Sequence, residues 1–402
     1  MNRVIPDRDL VYISKKKPSY PVTPMFREYL DQYDRTKGLP LDYSELIEAG
    51  ERIPVYDSKG NETHWYTMIY PRSYREEIDE KLKKIYAQLS IAGDTQAISH
   101  LYIDRIDFCE FGNSQPFRIR VVNRYNDNHD YYYVKTADAS RLYGLELEHI
   151  LSPNRINILV YGDTLIEEHI PGIPGDVFIR DYLPKPVSKP LSQHEAQLQN
   201  QTQNQTQNRD QLHAQSETGT PAAPTAPATP TTNYAGFQPA NPIRVAKEFV
   251  KFNERCFAKL LGDMRSYNYV AVVTQDFDER QYRVRAIDFD RQSHEPELKY
   301  YMPQFYKENQ PVVSMVWEHL SPDTIKQYQK EERSLMARRA EGGEGRLSDL
   351  FSVMVSDEIA PAENTKRLAQ DIARFHKRDK LANLTNMGEV TREHFLYTID
   401  EQ

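Results

Sequence analysis

The 402-residue sequence has little cysteine, no long apolar run and no excess of positive charge. Its two cysteines, Cys109 and Cys256, show no CxxC spacing, which excludes the usual zinc sites and a disulfide scaffold and favours a reducing, cytoplasmic location. Because no stretch approaches eighteen apolar residues and the first residues lack an apolar signal core, we expect neither a membrane span nor a signal peptide. The net charge of -8 argues against nucleic acid as a partner.

The chain is long enough for two or three domains, and its clearest boundary is internal. Residues 193–240 pass from a Gln/Asn-rich stretch into repeated proline, alanine and threonine. Such a composition cannot bury enough apolar surface to offset the entropy lost on ordering. We therefore predict a Pro-rich and Gln/Asn-rich disordered linker over 173–240, which is either a passive tether or a docking segment for a protein partner.

Residues 1–95 resemble an N-terminal α/β extension. Thr23-Pro24 is typical of a helix start, because it places a capping hydroxyl before a proline at the first helical position. Apolar residues at helical spacing predict a charged amphipathic helix over 72–90. Nothing in this part points to chemistry, although it could recruit a protein partner.

The pattern changes to strands over 96–172. Alternating apolar residues predict three strands before Asp138, which is expected to cap a helix, and two strands after that helix. The prediction is therefore a five-stranded antiparallel lobe with one inserted helix. Lys135 ends the third strand, and the last strand runs into Glu168-His169-Ile170-Pro171-Gly172.

Residues 241–402 are predicted to be mostly helical. Asn241-Pro242 is a second cap with a first-position proline, and the helix it starts leads directly into Gly262-Asp263. Two strands around an acidic turn follow, and the second ends in Ile287-Asp288-Phe289-Asp290. The expected fold class is thus α+β, with a small antiparallel lobe and a larger helical lobe.

Three polar residues in this second part have the order that phosphoryl transfer from Mg-ATP needs. Asp263 is followed five residues later by Asn268 and then by a strand-borne Asp288. An aspartate can orient a hydroxyl and accept its proton, and an asparagine with a second aspartate can hold magnesium against the phosphates. Each half of this pattern is common alone, but the two together in this order make a specific hypothesis.

With these motifs, the chain resembles the protein-kinase-like fold, and in particular the aminoglycoside phosphotransferase and choline kinase branch. That branch has a Glu-x-Ile-x-Gly connector, which Glu168 to Gly172 match, and a His-Gly-Asp-x-His-x-x-Asn loop followed by Ile-Asp-Phe/Trp-acidic. Residues 261–268 match this loop in outline, and residues 287–290 match the Ile-Asp-Phe/Trp-acidic motif that follows it. The Gly-Asp-x-Arg-x-x-Asn form is also similar to phosphoinositide kinases. The resemblance covers roughly 96–172 and 241–300.

The resemblance implies a role for each matched residue. It makes Asp263 the catalytic base, with Arg265 beside it, and it implies that ATP and magnesium are the cofactors. The other implied magnesium ligands are Asn268 and Asp288, with Asp290 as a weaker candidate for a second contact. Lys135 would bind the phosphates. Either Glu146 or Glu148 on the next helix could hold this lysine, and we favour Glu146, since only one of the two can face inward. The backbone groups of the connector, at Glu168 and Ile170, could pair with adenine.

The sequence departs from the family at two points. Leu261 and Arg265 stand where the family has histidines, and no GxGxxG joins the first two strands, for which Phe111-Gly112-Asn113 is a weak substitute. Two functions therefore stay open: a phosphotransferase acting on a small-molecule or protein hydroxyl with ATP or GTP, and a pseudokinase-like scaffold that recruits protein partners.

Overall fold

The computed structural model describes residues 10–11, 16–48, 50–57, 60–90, 98–110, 113–184, 240–276 and 279–400. The protein is α+β, with two antiparallel sheets and many helices. In the N-terminal part the elements are α1 (Pro24–Gln32), α2 (Tyr43–Glu48), β1 (Glu51–Tyr56), β2 (Glu62–Ile69), α3 (Arg72–Ser90), β3 (Leu101–Cys109), β4 (Phe117–Asn123), β5 (His129–Thr136), α4 (Ala139–Leu151), β6 (Ile158–Tyr161), β7 (Thr164–Glu168), β8 (Ile173–Pro174) and α5 (Gly175–Asp181).

The C-terminal part is mainly helical, as its sequence predicts. Its elements are α6 (Pro242–Lys259), β9 (Tyr269–Asp276), β10 (Glu279–Ala286), α7 (Gln310–His319), α8 (Pro322–Gly342), α9 (Glu344–Ser356), α10 (Ala362–His376) and α11 (Met387–Asp400). Strand β9 pairs with both β10 and β8, which gives a three-stranded sheet beside the helices. In the described part of the chain, no helix combines the length and the apolar character that crossing a membrane requires.

The large sheet has seven strands in the order β1-β2-β3-β4-β5-β7-β6. Strands β3 to β7 correspond to the five strands predicted over 96–172, but the sheet has two more, so the prediction of a five-stranded lobe is wrong. The additional pair is the hairpin β1–β2, which the sequence places in the N-terminal extension, but β2 pairs with β3 with Trp65 opposite Cys109. The sequence shows two hairpins without showing that their edges meet, because that contact joins residues more than forty positions apart.

Local signals at helix starts are confirmed. The side chains of Thr23, Asp138 and Asn241 each accept a hydrogen bond from a backbone N–H in the first turn of α1, α4 and α6. These caps satisfy amide groups that a helix otherwise leaves without partners. They also fix where α4 and α6 begin, and both helices lead to the site described below.

The first part of the segment predicted as linker forms regular structure instead. Residues 173–184 are ordered as β8 and α5, because Ile173 pairs with Ala271 of β9 and Phe178 is buried. Gly175 is needed here, since a Cβ at this position would lie 2.3 Å from the carbonyl oxygen of Ser266. The rest of the predicted linker, 185–239, lies outside the described residues, as do Phe111 and Gly112 of the weak glycine motif.

Two apolar cores hold the elements in place. The smaller core lies between the seven-stranded sheet and α3, and it includes Ile78, Leu82 and Phe117. The larger core joins α4 to the C-terminal helices and includes Leu142 and Phe257. Helix α4 therefore lies between the large sheet and the helical part, close to the turn that follows β10.

Candidate functional site

A cavity of about 230 Å³ lies where the large sheet, the segment after β7 and the turn after β10 meet. Most of the residues that the sequence singles out line it, although they come from three distant parts of the chain. The predicted residues in its wall are Lys135, Glu168, Ile170, Asn268, Asp288 and Asp290. The wall also contains Arg141, Glu167 and Asp176, which the sequence did not single out.

Lys135 lies at the inner end of β5, with only 8% of its side chain exposed. Its Nζ lies 2.5 Å from Oε2 of Glu167 on the neighbouring strand β7. Burial and the nearby Arg141 guanidinium lower the pKa of Lys135. Burial alone would raise the pKa of Glu167, but Arg141 and Lys135 together outweigh it and bring that pKa to about 2.

Glu146 does not hold Lys135, which corrects the role expected for it. Its carboxylate accepts hydrogen bonds from Arg35 Nε at 2.7 Å, Arg346 Nη2 at 2.5 Å and Tyr29 Oη at 2.9 Å, and its side chain is fully buried. It therefore joins α4 to the N-terminal segment and to α9, on the side of α4 away from the cavity. Glu148, the alternative partner for Lys135, pairs instead with Lys259.

The connector after β7 contributes backbone to the cavity. The N–H groups of Glu168 and His169 already donate to Asn157 and Tyr131. The Glu168 carboxylate accepts a hydrogen bond from Asn157 Nδ2 at 2.8 Å. Ile170 is buried at 6% exposure, and its N–H has no acceptor among the described residues. The connector thus offers a buried backbone donor at its end rather than a charged side chain.

Asp288 and Asp290 flank the buried Phe289 in the turn after β10. Arg141 Nη1 lies 3.0 Å from Asp288 Oδ1 and 2.5 Å from Asp290 Oδ1. Burial and the Asp290 carboxylate raise the pKa of Asp288, whereas Arg141 outweighs burial at Asp290 and lowers its pKa. Asp288 keeps 35% of its side chain exposed, so one of its edges remains open to the cavity.

Asp263 lies in a tight loop between α6 and β9, with a positive φ of 58° that aspartate tolerates better than most residues. Its N–H donates to Tyr306 Oη at 2.9 Å, and the Tyr306 hydroxyl donates to the carbonyl of Tyr300. These bonds fix the backbone of the loop. Burial raises the pKa of Asp263 to about 7, even though Arg265 opposes this rise. That value suits a group that accepts a proton near neutral pH.

Arg265 is the closest cation to Asp263, with 2.7 Å between Nε and Oδ1. The two atoms form an ion pair without an aligned hydrogen bond. Arg265 Nη1 also donates to Tyr267 Oη at 2.6 Å, which holds the guanidinium beside the loop. Neither Asp263 nor Arg265 belongs to the cavity wall, so both lie next to the cavity rather than within it.

Asn268 links this loop to the cavity. Its Nδ2 donates to the carbonyl oxygen of Asp263 at 2.7 Å, which leaves Oδ1 as an acceptor on a cavity-lining residue. No group of three or more His, Cys, Asp or Glu in the described ranges could hold a metal ion unaided. The donor set at Asn268 and Asp288 nevertheless fits magnesium, which commonly binds one or two protein oxygens and completes its shell with phosphate and water.

The predicted residues that line one cavity therefore include Lys135, Ile170, Asn268 and Asp288. Asp263 and Arg265 lie beside it, whereas Glu146 lies on the other side of α4. Arg141 and Glu167 are the main residues that sequence reasoning missed. A signal for Glu167 existed, because side chains alternate along β7 and Glu167 follows Leu165, the residue opposite Lys135. Arg141 could have been suspected from its place in the first turn after the cap Asp138. Asp176 has a buried carboxylate oxygen without a hydrogen-bond partner among the described residues.

Comparisons with known proteins add little to this geometry. No protein-family model matches the chain, and no curated protein matches its sequence. Among solved structures, an ethanolamine kinase from Plasmodium vivax is similar over 82% of this chain and 89% of its own, at 10% identity and a TM-score of 0.24. Since so low a score carries no argument about fold or mechanism, the functional assignment depends on the site itself.

Proposed function

We propose that this chain is an ATP- and magnesium-dependent phosphotransferase of the protein-kinase-like kind, which moves the γ-phosphate to a hydroxyl of a small-molecule or protein acceptor. One observation carries the proposal: a single cavity is lined by a buried lysine, an asparagine, an aspartate and a connector amide that finds no acceptor in the described part of the chain. These groups come from residues 135, 170, 268 and 288, in the order that the resemblance predicts.

The nucleotide end of the cavity would use the connector and Lys135. The Ile170 N–H can donate to a ring nitrogen of adenine, because it has no competing acceptor among the described residues. One oxygen of the Asp176 carboxylate has no hydrogen-bond partner among the residues that the structure describes, so it can accept hydrogen bonds from ribose hydroxyls. Lys135 supplies a cation for the phosphates, and Glu167 keeps its side chain in a defined position.

Asp263 would act on the acceptor hydroxyl. The hydroxyl oxygen forms a bond to the γ-phosphorus, the bond from that phosphorus to the bridging oxygen of ADP breaks, and the hydroxyl proton passes to the Asp263 carboxylate. A pKa of about 7 leaves Asp263 ionised in a large share of molecules near neutral pH. The transition state is loose, so positioning and charge neutralisation would supply most of the acceleration.

Asn268 and Asp288 would hold magnesium through Asn268 Oδ1 and the free edge of Asp288. When bound, the ion would neutralise charge on the phosphates. Asn268 would also position the proposed base, because its Nδ2 donates a hydrogen bond to the carbonyl oxygen of Asp263 and so holds the Asp263 backbone beside the cavity.

One observation favours a second candidate, a binding module that holds nucleotide without transferring phosphate. Arg141 already occupies Asp288 Oδ1, an oxygen that a catalytic metal would use. Such a module would bind ATP with little dependence on magnesium. Formation of ADP from ATP in the presence of magnesium, with water taking the place of the acceptor hydroxyl, separates the two candidates, because the binding module would form none.

Calorimetric titration with ATP, with and without magnesium, tests the proposal on the wild type and on Asp288→Asn. We expect magnesium to strengthen ATP binding to the wild type and to have little effect on the variant. Asp163→Asn is the matched control, because the Asp163 side chain is 95% exposed and lies on a surface turn. Absence of ATP binding by the wild type would refute the proposed function.

A further inference from the structure

Arg141 is a buried cation that contacts three carboxylates of the cavity. Only 3% of its side chain is exposed. Its guanidinium donates to both oxygens of Glu167, with 3.0 Å between Nη2 and Oε2. A third nitrogen, Nη1, reaches Asp288 and Asp290. All three carboxylates that it contacts belong to residues of the cavity wall.

The fold fixes this arginine in two ways. Asp138 caps α4, and its side chain accepts a hydrogen bond from the N–H of Arg141. This bond fixes Arg141 in the first turn of the helix, where its side chain lies against the cavity. Gly144, one turn later, lets α4 approach the turn after β10, since a Cβ there would lie 3.1 Å from the Cβ of Phe289. Helix α4 and the turn that carries both aspartates are therefore held in close contact.

The contacts of Arg141 determine which carboxylate oxygens remain for a metal. Asp288 Oδ1 accepts from Arg141 and from the N–H of Asp290 at 3.0 Å, and Asp290 Oδ1 accepts from Arg141. Within the described ranges, the second oxygen of Asp288 and Oδ1 of Asn268 accept no hydrogen bond, and both residues line the cavity. This set can anchor one divalent cation, whereas a second cation between the two aspartates would have to displace the guanidinium.

We propose that Arg141 is a positioning residue that takes the place of a second metal ion, so that the nucleotide site holds one divalent cation instead of two. The inference depends on the proposed nucleotide site. It deepens that proposal, because kinases commonly place two magnesium ions on the phosphates. A guanidinium fixed by Glu167 supplies a permanent positive charge at the same aspartates, and it repels a second cation.

The test is the number of Mn²⁺ ions bound per bound molecule of a non-hydrolysable ATP analogue, counted by electron paramagnetic resonance of free Mn²⁺. We expect one ion in the wild type and two in Arg141→Gln, where Asp288 Oδ1 and Asp290 Oδ1 become available. Two ions in the wild type, or one in the folded variant, would overturn the inference while leaving the proposed function intact. A wild type that binds no analogue would instead refute the proposed function, and the inference with it.

A second measurement needs no nucleotide. In Arg141→Gln the two aspartates lose their cation, so Mn²⁺ should raise its melting temperature well above the rise seen in the wild type. Arg118→Gln is the matched control: Arg118 is also buried in the cavity wall, but it pairs with Asp107. Equal Mn²⁺ shifts in the two variants would contradict the role of Arg141. If Arg141→Gln does not fold, the double variant with Arg141→Gln and Glu167→Gln takes its place in both experiments. The double variant removes one charge of each sign, and the expected results are the same.

Discussion

Lys135 and Glu167 form an ion pair across two neighbouring antiparallel strands, with 2.5 Å between Nζ and Oε2. Lys135 lies opposite Leu165, so Glu167 is its diagonal neighbour two positions along β7 and faces the same side of the sheet. The partner of this lysine is thus supplied by a strand, whereas the resemblance placed it on helix α4. Because the pair lies within one sheet, movement of α4 would not by itself break it.

Glu167→Gln should destabilise the protein strongly. The change leaves Lys135 and Arg141 buried without the carboxylate that neutralises both, and breaking a buried pair in this way costs about 3–5 kcal/mol. Urea unfolding followed by circular dichroism measures the loss. Glu110→Gln is the control, since Glu110 forms an exposed pair with Arg52 and should lose less than about 1 kcal/mol. Equal losses in the two variants would contradict this account.

Formation of ADP from ATP, with water as the acceptor, should increase as the pH rises through about 7. Asp263 must be ionised to accept a proton, and burial raises its pKa to about 7. The Arg265 charge favours the ionised form, so Arg265→Gln should move the midpoint of the profile to higher pH. Arg72→Gln removes an exposed arginine and should leave the midpoint in place. A midpoint that does not move in Arg265→Gln would argue against Asp263 as the base.

Asp263→Asn should stabilise the protein above pH 7 while abolishing transfer. A carboxyl whose pKa is raised by folding is ionised in the unfolded chain above about pH 4, so stability is lost as the pH rises from about 4 to 7. The amide avoids this loss, and we expect a gain on the order of a few kcal/mol at pH 8 and little change at pH 4. Urea unfolding at the two pH values measures it. A variant less stable than the wild type at pH 8 would refute the prediction.

Glu146→Gln should affect stability and leave nucleotide binding unchanged. Glu146 neutralises Arg35 and Arg346, so its loss should cost about 3 kcal/mol or more. It lies away from the cavity, and calorimetry below the melting temperature should therefore give the wild-type affinity for ATP. Tyr29→Phe, which removes only one neutral donor to Glu146, should cost about 1 kcal/mol. If the folded Glu146→Gln variant bound ATP more weakly than the wild type, Glu146 would contribute to nucleotide binding, and this prediction would be wrong.

The sequence was most informative where a signal is local. The caps Asp138 and Asn241, and the strands around Lys135, were predicted close to their observed bounds because capping and side-chain alternation act within a few residues. The order of Asp263, Asn268 and Asp288 was also visible in the chain. These residues were sufficient for a hypothesis about chemistry, although each alone is compatible with an ordinary turn.

Only the tertiary structure decided which charges meet. Glu146 and Glu167 both follow Lys135 in the sequence, but the packing of α4 directs the first toward Arg35 and Arg346, whereas β7 places the second beside Lys135. Arg141 reaches the two aspartates because α4 packs on a turn almost 150 residues further along the chain. Sequence patterns determine the faces of single elements, but burial of a charge depends on contacts between distant elements, and those contacts form only when the whole chain has folded.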